Sequence, residues 1–245
     1  MLSRKEQKFI KSLKVKKYRM REKCFLIEGT KNVQELLNSD FEVEMVIGTE
    51  QFFSQNLKSG NHRNEIVMPD LLSQLGTFKT NEDVLAVARM QDFNLKTLSF
   101  DDHLFVLDGV GDPGNMGTII RTLDWFGFDQ LVCSSDCAEF YHPKVINSTM
   151  GSFTRVKVVS CDLEEFYQQN RLPVYAADME GIHLSHLNSK SPSVLVMGSE
   201  SHGVGEITKK NIKERITIPR YGHAESLNVG IATGIIAGHL RMAKK

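Results

Sequence analysis

Ile218-Pro219-Arg220-Tyr221-Gly222-His223-Ala224-Glu225-Ser226-Leu227-Asn228-Val229-Gly230-Ile231-Ala232-Thr233-Gly234-Ile235-Ile236-Ala237-Gly238-His239-Leu240 joins the last apolar run of the chain to its last helix. Pro219 fixes φ and ends the run 216–218, Gly222 permits a turn, and Glu225 or Ser226 is placed to cap the helix that follows. Gly230, Gly234 and Gly238 recur every four residues and leave one helix face bare, open to close packing of a helix or sheet or to a flat ligand. As a membrane-dimer motif the stripe fails. Its apolar run is far short of the roughly 20 residues a span needs, and His239, Arg241 and Lys244 close it.

Upstream of this stretch, short apolar runs alternate with helical segments at 104–107, 130–133, 155–159, 173–177, 194–197 and 216–218. Near-continuous apolar strands between helices predict a parallel sheet buried on both faces, doubly wound or similar, over residues 103–245. Ligands of such sheets bind beyond the carboxyl ends of the strands. Residues 1–92 read as a smaller α/β unit: strands at 24–29, 43–47, 65–68 and 84–89, and helices at 30–37 (capped by Thr30), 51–57 and 69–75. The polar stretch 93–102 reads as a linker.

Composition excludes several classes. With 41% hydrophobic and 24% charged residues and a formal net charge of zero, the chain is an ordinary globular sequence of 245 residues, with no sign of disorder or collagen. Cys24, Cys133, Cys137 and Cys161 have no metal-ligand spacing, which predicts reduced thiols, no metal site and a cytoplasmic protein. No apolar segment follows the N-terminal charges, so no secretory signal is expected. Residues 1–23 nevertheless carry ten basic side chains (Arg4, Lys5, Lys8, Lys11, Lys14, Lys16, Lys17, Arg19, Arg21, Lys23) against Glu6 and Glu22. The block is either a solvated face docked by Phe9, Ile10 and Leu13 or a phosphate-binding arm.

Three loops after strands hold unusual polar residues. In the first, Gly109, Gly111 and Gly114 satisfy G-x-G-x-x-G with Asp129 about 20 residues on, the pattern of a nicotinamide-binding Rossmann oxidoreductase. Against that reading, Pro113 stands where the fingerprint helix should already be hydrogen-bonding, and the motif is mid-chain. In the same loop Asn115 is placed to cap a helix and Arg121 follows two turns along, as a surface ion pair or as a fork aimed at phosphate. The second loop, Gly198-Ser199-Glu200-Ser201-His202-Gly203-Val204-Gly205, sets one carboxylate among glycines. The third clusters Glu225, Ser226 and Asn228 at a helix start, more than capping requires.

In order and spacing these loops resemble the motifs of the SpoU family of the SPOUT superfamily, the TrmH-like RNA ribose 2′-O-methyltransferases. Asn115-Met-Gly-Thr-Ile-Ile-Arg121-Thr122 resembles the first motif, Leu195-Val-Met-Gly-Ser-Glu200-Ser-His-Gly203-Val the second, and Ile218-Pro-Arg-Tyr-Gly-His-Ala-Glu225-Ser-Leu-Asn228-Val the third. Lys17-Tyr18-Arg19 followed by Phe25-Leu26-Ile27-Glu28-Gly29 is similar to the start of the family's small RNA substrate-binding domain, which resembles ribosomal protein L30e. The resemblance implies a catalytic domain with a deep trefoil knot, a bent S-adenosylmethionine pocket and a homodimer with sites near the subunit interface. It implies that Met197, Gly198, Gly203, Ile218, Pro219, Leu227 and Asn228 line the cofactor site, and that Asn115, Arg121, Glu200, Ser226 and Asn228 face the RNA ribose. The substrate would be ribosomal or transfer RNA, ribosomal RNA preferred, with Lys16, Lys17, Arg19, Arg121 and Arg220 on the RNA.

Methyl transfer to a ribose hydroxyl is an in-line displacement that needs orientation and loss of one proton, and no metal. Arg121 suits the adjacent phosphate and the negative charge growing on O2′; Glu200 and Asn115 suit positioning. His142, His202 and His223 are candidate bases by residue type, but only the last two lie in motif loops. Arg220 replaces a commonly apolar residue of the motif and Gly230 a frequent serine. The other class open to the sequence is a non-catalytic RNA-binding module on the same scaffold, which the intact polar residues of all three loops oppose.

Overall fold

The computed structural model describes residues 2–56, 62–78, 80, 81 and 83–243; Leu57, expected to end a helix, and Lys244 lie outside them. The chain divides into two compact units, Met1–Asp92 with Glu139–Thr154, and Phe93–Ala138 with Arg155–Lys245. The sequence reading runs the second domain unbroken from 103 to 245, whereas the structure groups 139–154 with the first unit.

In chain order the first unit has α1 (Arg4–Ser12), α2 (Lys16–Glu22), β1 (Cys24–Glu28), α3 (Thr30–Leu37), β2 (Val43–Gly48), α4 (Glu50–Asn56), β3 (Arg63–Ile66), α5 (Pro69–Leu75) and β4 (Val84–Arg89). The second unit opens with β5 (Leu104–Asp108), α6 (Pro113–Trp125) and β6 (Gln130–Ser134). α7 (Pro143–Thr149) returns to the first unit. The second is completed by β7 (Lys157–Cys161), α8 (Leu163–Gln169), β8 (Val174–His183), β9 (Val194–Gly198), α9 (Glu206–Asn211), β10 (Glu214–Thr217) and α10 (Val229–Met242).

The first unit is a four-stranded sheet in the order β1-β4-β2-β3, antiparallel except for the β2–β3 pair. On one face Ile10 and Leu13 of the basic arm pack with Leu26, Leu72 and Leu85, so the apolar stripe of α1 docks as its spacing requires. Arg4, Lys5, Lys8, Lys11, Lys16, Lys17, Arg21 and Lys23 stay exposed around it. The two readings of the arm are therefore compatible. Thr30, expected as a cap, is the first residue of α3, and Gly29 holds the cap position without a side-chain bond.

Aromatic packing binds residues 139–154 to this unit. Phe25 meets Tyr141 at 4.6 Å and Phe153 at 6.1 Å between ring centroids. Tyr141 hydroxyl donates to Gln91 carbonyl and accepts from its N–H, both at 2.8 Å. Arg19, expected on RNA, is 1% exposed. Its Nη1 donates to Leu13 carbonyl at 2.8 Å, and its guanidinium forks onto both carboxylate oxygens of Glu139. Every arm of this cation is consumed inside the unit, so it serves the fold and presents no charge to a ligand.

The second unit is an all-parallel six-stranded sheet in the order β10-β8-β9-β5-β6-β7, the architecture the apolar runs predict. Val106, Val132, Val194, Val196 and Phe166 lie in its core. The stretch 93–102 is docked on this unit: Leu95, Leu98 and Phe100 pack against that core, and Ser99 N–H donates to Gln130 Oε1 at 2.8 Å. The glycine stripe of α10 meets α6. A Cβ at Gly230, Gly234 or Gly238 would lie 3.2–3.5 Å from Thr118, Thr122 and Phe126 respectively, residues that share the same four-residue spacing. Among the described residues no helix is long and apolar enough to cross a membrane.

Removing one partner of a buried ion pair strands the other charge. Glu139→Ala is expected to lower stability in urea unfolding by about 3 kcal/mol, with Glu139→Gln losing less because it still accepts from the guanidinium. An unchanged midpoint for Glu139→Ala would contradict the packing of Arg19.

Candidate active site

The order of the parallel strands fixes where the three loops meet. From β5 the chain moves outward to β6 and β7, then crosses to the other side for β8, β9 and β10, with β9 beside β5, so the crevice between β5 and β9 is a topological switch point. There Asp108 and Gly198 are paired in register at the strand ends, which brings the first and second loops side by side. Asp108 is buried. Its Oδ2 accepts from Gly205 N–H at 2.7 Å and from Thr208 hydroxyl at 2.6 Å, and Tyr167 hydroxyl reaches Thr208 at 3.0 Å. This carboxylate closes the second loop onto β5. Within the loop Ser199 and Gly203 exchange two backbone hydrogen bonds at 2.9 and 2.8 Å, with Gly203 at φ +66°. A Cβ on Gly198 would lie 2.4 Å from the Gly203 carbonyl carbon, so only glycine allows the loop to fold back this tightly.

Side-chain amides then join the loops. Asp112 caps α6 by accepting from Asn115 N–H at 2.8 Å, with Pro113 first in the helix. Asn115, expected as the cap, is instead two residues into the helix beyond Pro113, and its carboxamide is left to point outward. Asn115 Nδ2 donates to Glu200 Oε1, and Asn115 Oδ1 accepts from Asn228 Nδ2 at 2.9 Å. Asn228 Nδ2 also lies 3.5 Å from Glu200 Oε1. Asn228 Oδ1 accepts from Gly230 and Ile231 N–H groups at 2.9 and 3.4 Å, so Asn228 caps α10 in place of the expected Glu225 or Ser226. Arg121 is six residues beyond Asn115 on α6, about 9 Å along the axis. It is exposed and pairs with no described residue.

Beside this junction lies a cavity of about 490 Å³. Met197, Gly198, Gly203, Ile218, Pro219 and Leu227 all border it, together with Glu200, Ser226 and Arg220. Asn228 does not, although its neighbours Leu227 and Val229 do. Gly109, Gly111 and Gly114 are also absent from its lining, so the glycine fingerprint of the Rossmann reading does not face the cavity. Arg220 is exposed, with Nη1 3.4 Å from Ala224 carbonyl. Lys16 and Lys17 are exposed on α2 of the first unit.

His202 is hydrogen-bonded to Ser201 hydroxyl at 2.7 Å and His223 is exposed. His142 belongs to the first unit, where it caps α7, and burial followed by the nearby Arg19 charge pushes its pKa down. Among the described residues no group of three or more His, Cys, Asp or Glu is arranged to hold a metal.

Sequence reasoning missed Asp108 and the wall contributed by β8, where Ala177, Asp178 and Met179 border the cavity. Asp108 could have been found as a charged residue ending an apolar strand before a glycine. The β8 residues carry no such signal, because only the pairing of β8 with β10 and β9 brings them there. A further group under the first loop is Cys137, whose thiol lies 3.4 Å from Leu107 carbonyl and 3.3 Å from Ser134 hydroxyl. A hydrogen bond from Cys133 stabilises its thiolate and, despite burial, lowers its pKa to about 7, whereas burial raises Cys24 and Cys161 to about 11.

An all-parallel sheet whose switch point opens on an apolar cavity, bordered by Glu200 and Asp178 with the amides of Asn115 and Asn228 converging beside it on Glu200, defines an α/β enzyme of the nucleotide-ligand kind. The chain belongs to the SpoU rRNA Methylase family, whose model matches residues 102–238. Residues 5–86 match an MRM3-like substrate binding domain. Over 236 residues, 94% of each chain, it is 31% identical to the 23S rRNA (guanosine(2553)-2′-O)-methyltransferase RlmP of Bacillus subtilis. Among solved structures, one described as an RNA methyltransferase of the TrmH family from Porphyromonas gingivalis superposes with a TM-score of 0.89 at 32% identity, covering 99% of both chains. An AdoMet-bound rRNA methyltransferase from Sinorhizobium meliloti superposes with a TM-score of 0.87 at 26% identity, covering 99% of this chain and 96% of the other.

The cap and the thiol each give a measurable expectation. Asn228→Ala is expected to lose about 1 kcal/mol in denaturant unfolding, with Asn228→Ser recovering most of it; equal stability of all three would remove Asn228 as the joint. Alkylation of Cys137, followed by mass spectrometry, is expected to accelerate through about pH 7, well before Cys24 or Cys161 reacts. Simultaneous onset at high pH would contradict the environment described for Cys137.

Proposed function

We propose that the protein transfers a methyl group from S-adenosylmethionine to a ribose 2′-hydroxyl of ribosomal RNA. The observation that carries this reading is the junction of Asn115, Glu200 and Asn228, drawn from three loops, at the edge of an apolar cavity. The cavity suits the cofactor on its own chemistry. Its size falls in the range of small-ligand sites, Met197, Ile218, Pro219 and Leu227 offer apolar walls for a purine, and the Gly198–Gly203 approach exposes backbone groups to a polar ligand. The RlmP relative and the AdoMet-bound Sinorhizobium meliloti structure support both the reaction and the cofactor.

Bound in this cavity, S-adenosylmethionine supplies a methyl group activated on a sulfonium. The protein orients the acceptor and stabilises its charge. Glu200 Oε1 is occupied by the two amides, which leaves Oε2 to accept from the ribose hydroxyl and align O2′. Asn115 and Asn228 hold that carboxylate in place, and Ser226, on the cavity lining, contacts the ribose. Arg121, which pairs with no described residue, grips the adjacent phosphate and stabilises the negative charge that grows on O2′ as its proton passes to water.

The first unit is the RNA-binding domain of L30e-like type. Its match to a substrate binding domain and the exposed Lys16, Lys17 and neighbouring cations of the arm support this role. Residues 218–228 form the crossing of a deep trefoil knot. The protein acts as a homodimer in the cytoplasm, with its sites near the subunit interface; α10 leaves Ile231, Ile235 and Met242 exposed, and Trp125 of α6 is 85% exposed, which supports a second copy packing on these helices.

With unmodified 23S rRNA and labelled S-adenosylmethionine, Arg121→Ala is expected to lower turnover about 100-fold or more and leave calorimetric affinity for the cofactor unchanged. Turnover at the wild-type rate would remove Arg121 from the mechanism.

A further inference from the structure

Tyr221 is 94% exposed, the most exposed large hydrophobic side chain among the described residues, and it stands on the rim of the cavity. Its ring meets no other described ring and its hydroxyl bonds to no described partner. The ends of the loop that carries it are set without it: Pro219 fixes φ at the entry and Asn228 caps α10 at the exit. An exposed aromatic is ordinary on a protein surface. This one borders the cavity, next to Arg220, whose side chain is also exposed.

A ribose whose 2′-hydroxyl reaches the cavity carries its base and its phosphates to the rim. Proteins that act on RNA splay such a base out of its stack and lay it on an aromatic face, with a cation on the neighbouring phosphate. Met197, Ile218 and Leu227 already supply apolar walls to the cavity, so the cofactor does not need the Tyr221 ring. We infer that Tyr221 is the stacking platform for the base of the methylated nucleotide, with Arg220 on its phosphate. This rests on the ribose-methyltransferase reading of the same site.

The test compares the full-length wild type with Tyr221→Ala, Tyr221→Phe and Tyr221→Trp. Four quantities are read: kcat and KM on unmodified 23S rRNA, cofactor affinity by calorimetry, affinity for single-stranded RNA by fluorescence anisotropy, and oligomeric state by sedimentation. Tyr221→Ala is expected to lower kcat/KM for RNA about tenfold or more and to weaken single-stranded RNA binding, with cofactor affinity and oligomeric state unchanged; Phe and Trp recover most of the loss. Wild-type kcat/KM in Tyr221→Ala would overturn the inference. So would a fall in cofactor affinity, which would put the ring on the cofactor, or a change in oligomeric state, which would put it in a subunit contact. A wild type that methylates no RNA, together with weaker RNA binding by Tyr221→Ala, would sink the methyltransferase reading and leave the platform standing.

Discussion

The carboxamide of Asn228 is the joint on which the site depends. Its oxygen ends the N–H row of α10, while its nitrogen donates to Asn115 and approaches Glu200. Three loops far apart in sequence thus share one hydrogen-bonded point. The polarity of an amide enforces this arrangement, because one end must accept and the other must donate. A hydroxyl could cap the helix, and a carboxylate could cap it too, but neither presents a donor of the same reach to Asn115. The residue that starts the last helix therefore also sets the geometry of the carboxylate that faces the cavity.

That joint is possible only because the sheet delivers its strand ends to the same place. Parallel order makes every carboxyl end point one way, and the reversal of strand order between β5 and β9 opens the crevice. Asp108 then draws the second loop inward through Gly205 and Thr208, and the missing Cβ of Gly198 lets the loop fold onto itself. On the far side, α10 lies close against α6 because three glycines face two threonines and a phenylalanine in matching turns. The bare face is a packing device, and it positions the helix whose cap, Asn228, is bonded to Asn115.

Much of this was legible in the chain. The six apolar runs of the second unit become its six strands, because strands buried on both faces leave a continuous apolar signature. The loop residues were legible as well, since Glu200 among glycines and the cluster of Glu225, Ser226 and Asn228 at a helix start exceed what turns and caps require. The caps were not: Asp112 and Asn115, or Glu225, Ser226 and Asn228, are chemically able to cap, and only the point where the backbone turns helical decides between them. Arg19 is one of ten basic residues in the arm, and nothing local sets it apart, because its partner Glu139 lies 120 residues away. The return of 139–154 to the first unit is equally non-local. It depends on Phe25 meeting Tyr141 and Phe153. The β8 wall of the cavity also arises from tertiary pairing alone.

The central claim is the position of the transferred methyl group. Alkali cleaves RNA only beside a free 2′-hydroxyl, so purified protein, methyl-labelled S-adenosylmethionine and ribosomal RNA lacking its native modifications, followed by alkaline hydrolysis, read that position directly. The account predicts label in alkali-resistant dinucleotides. Label released in mononucleotides would place the methyl group on a base and contradict it.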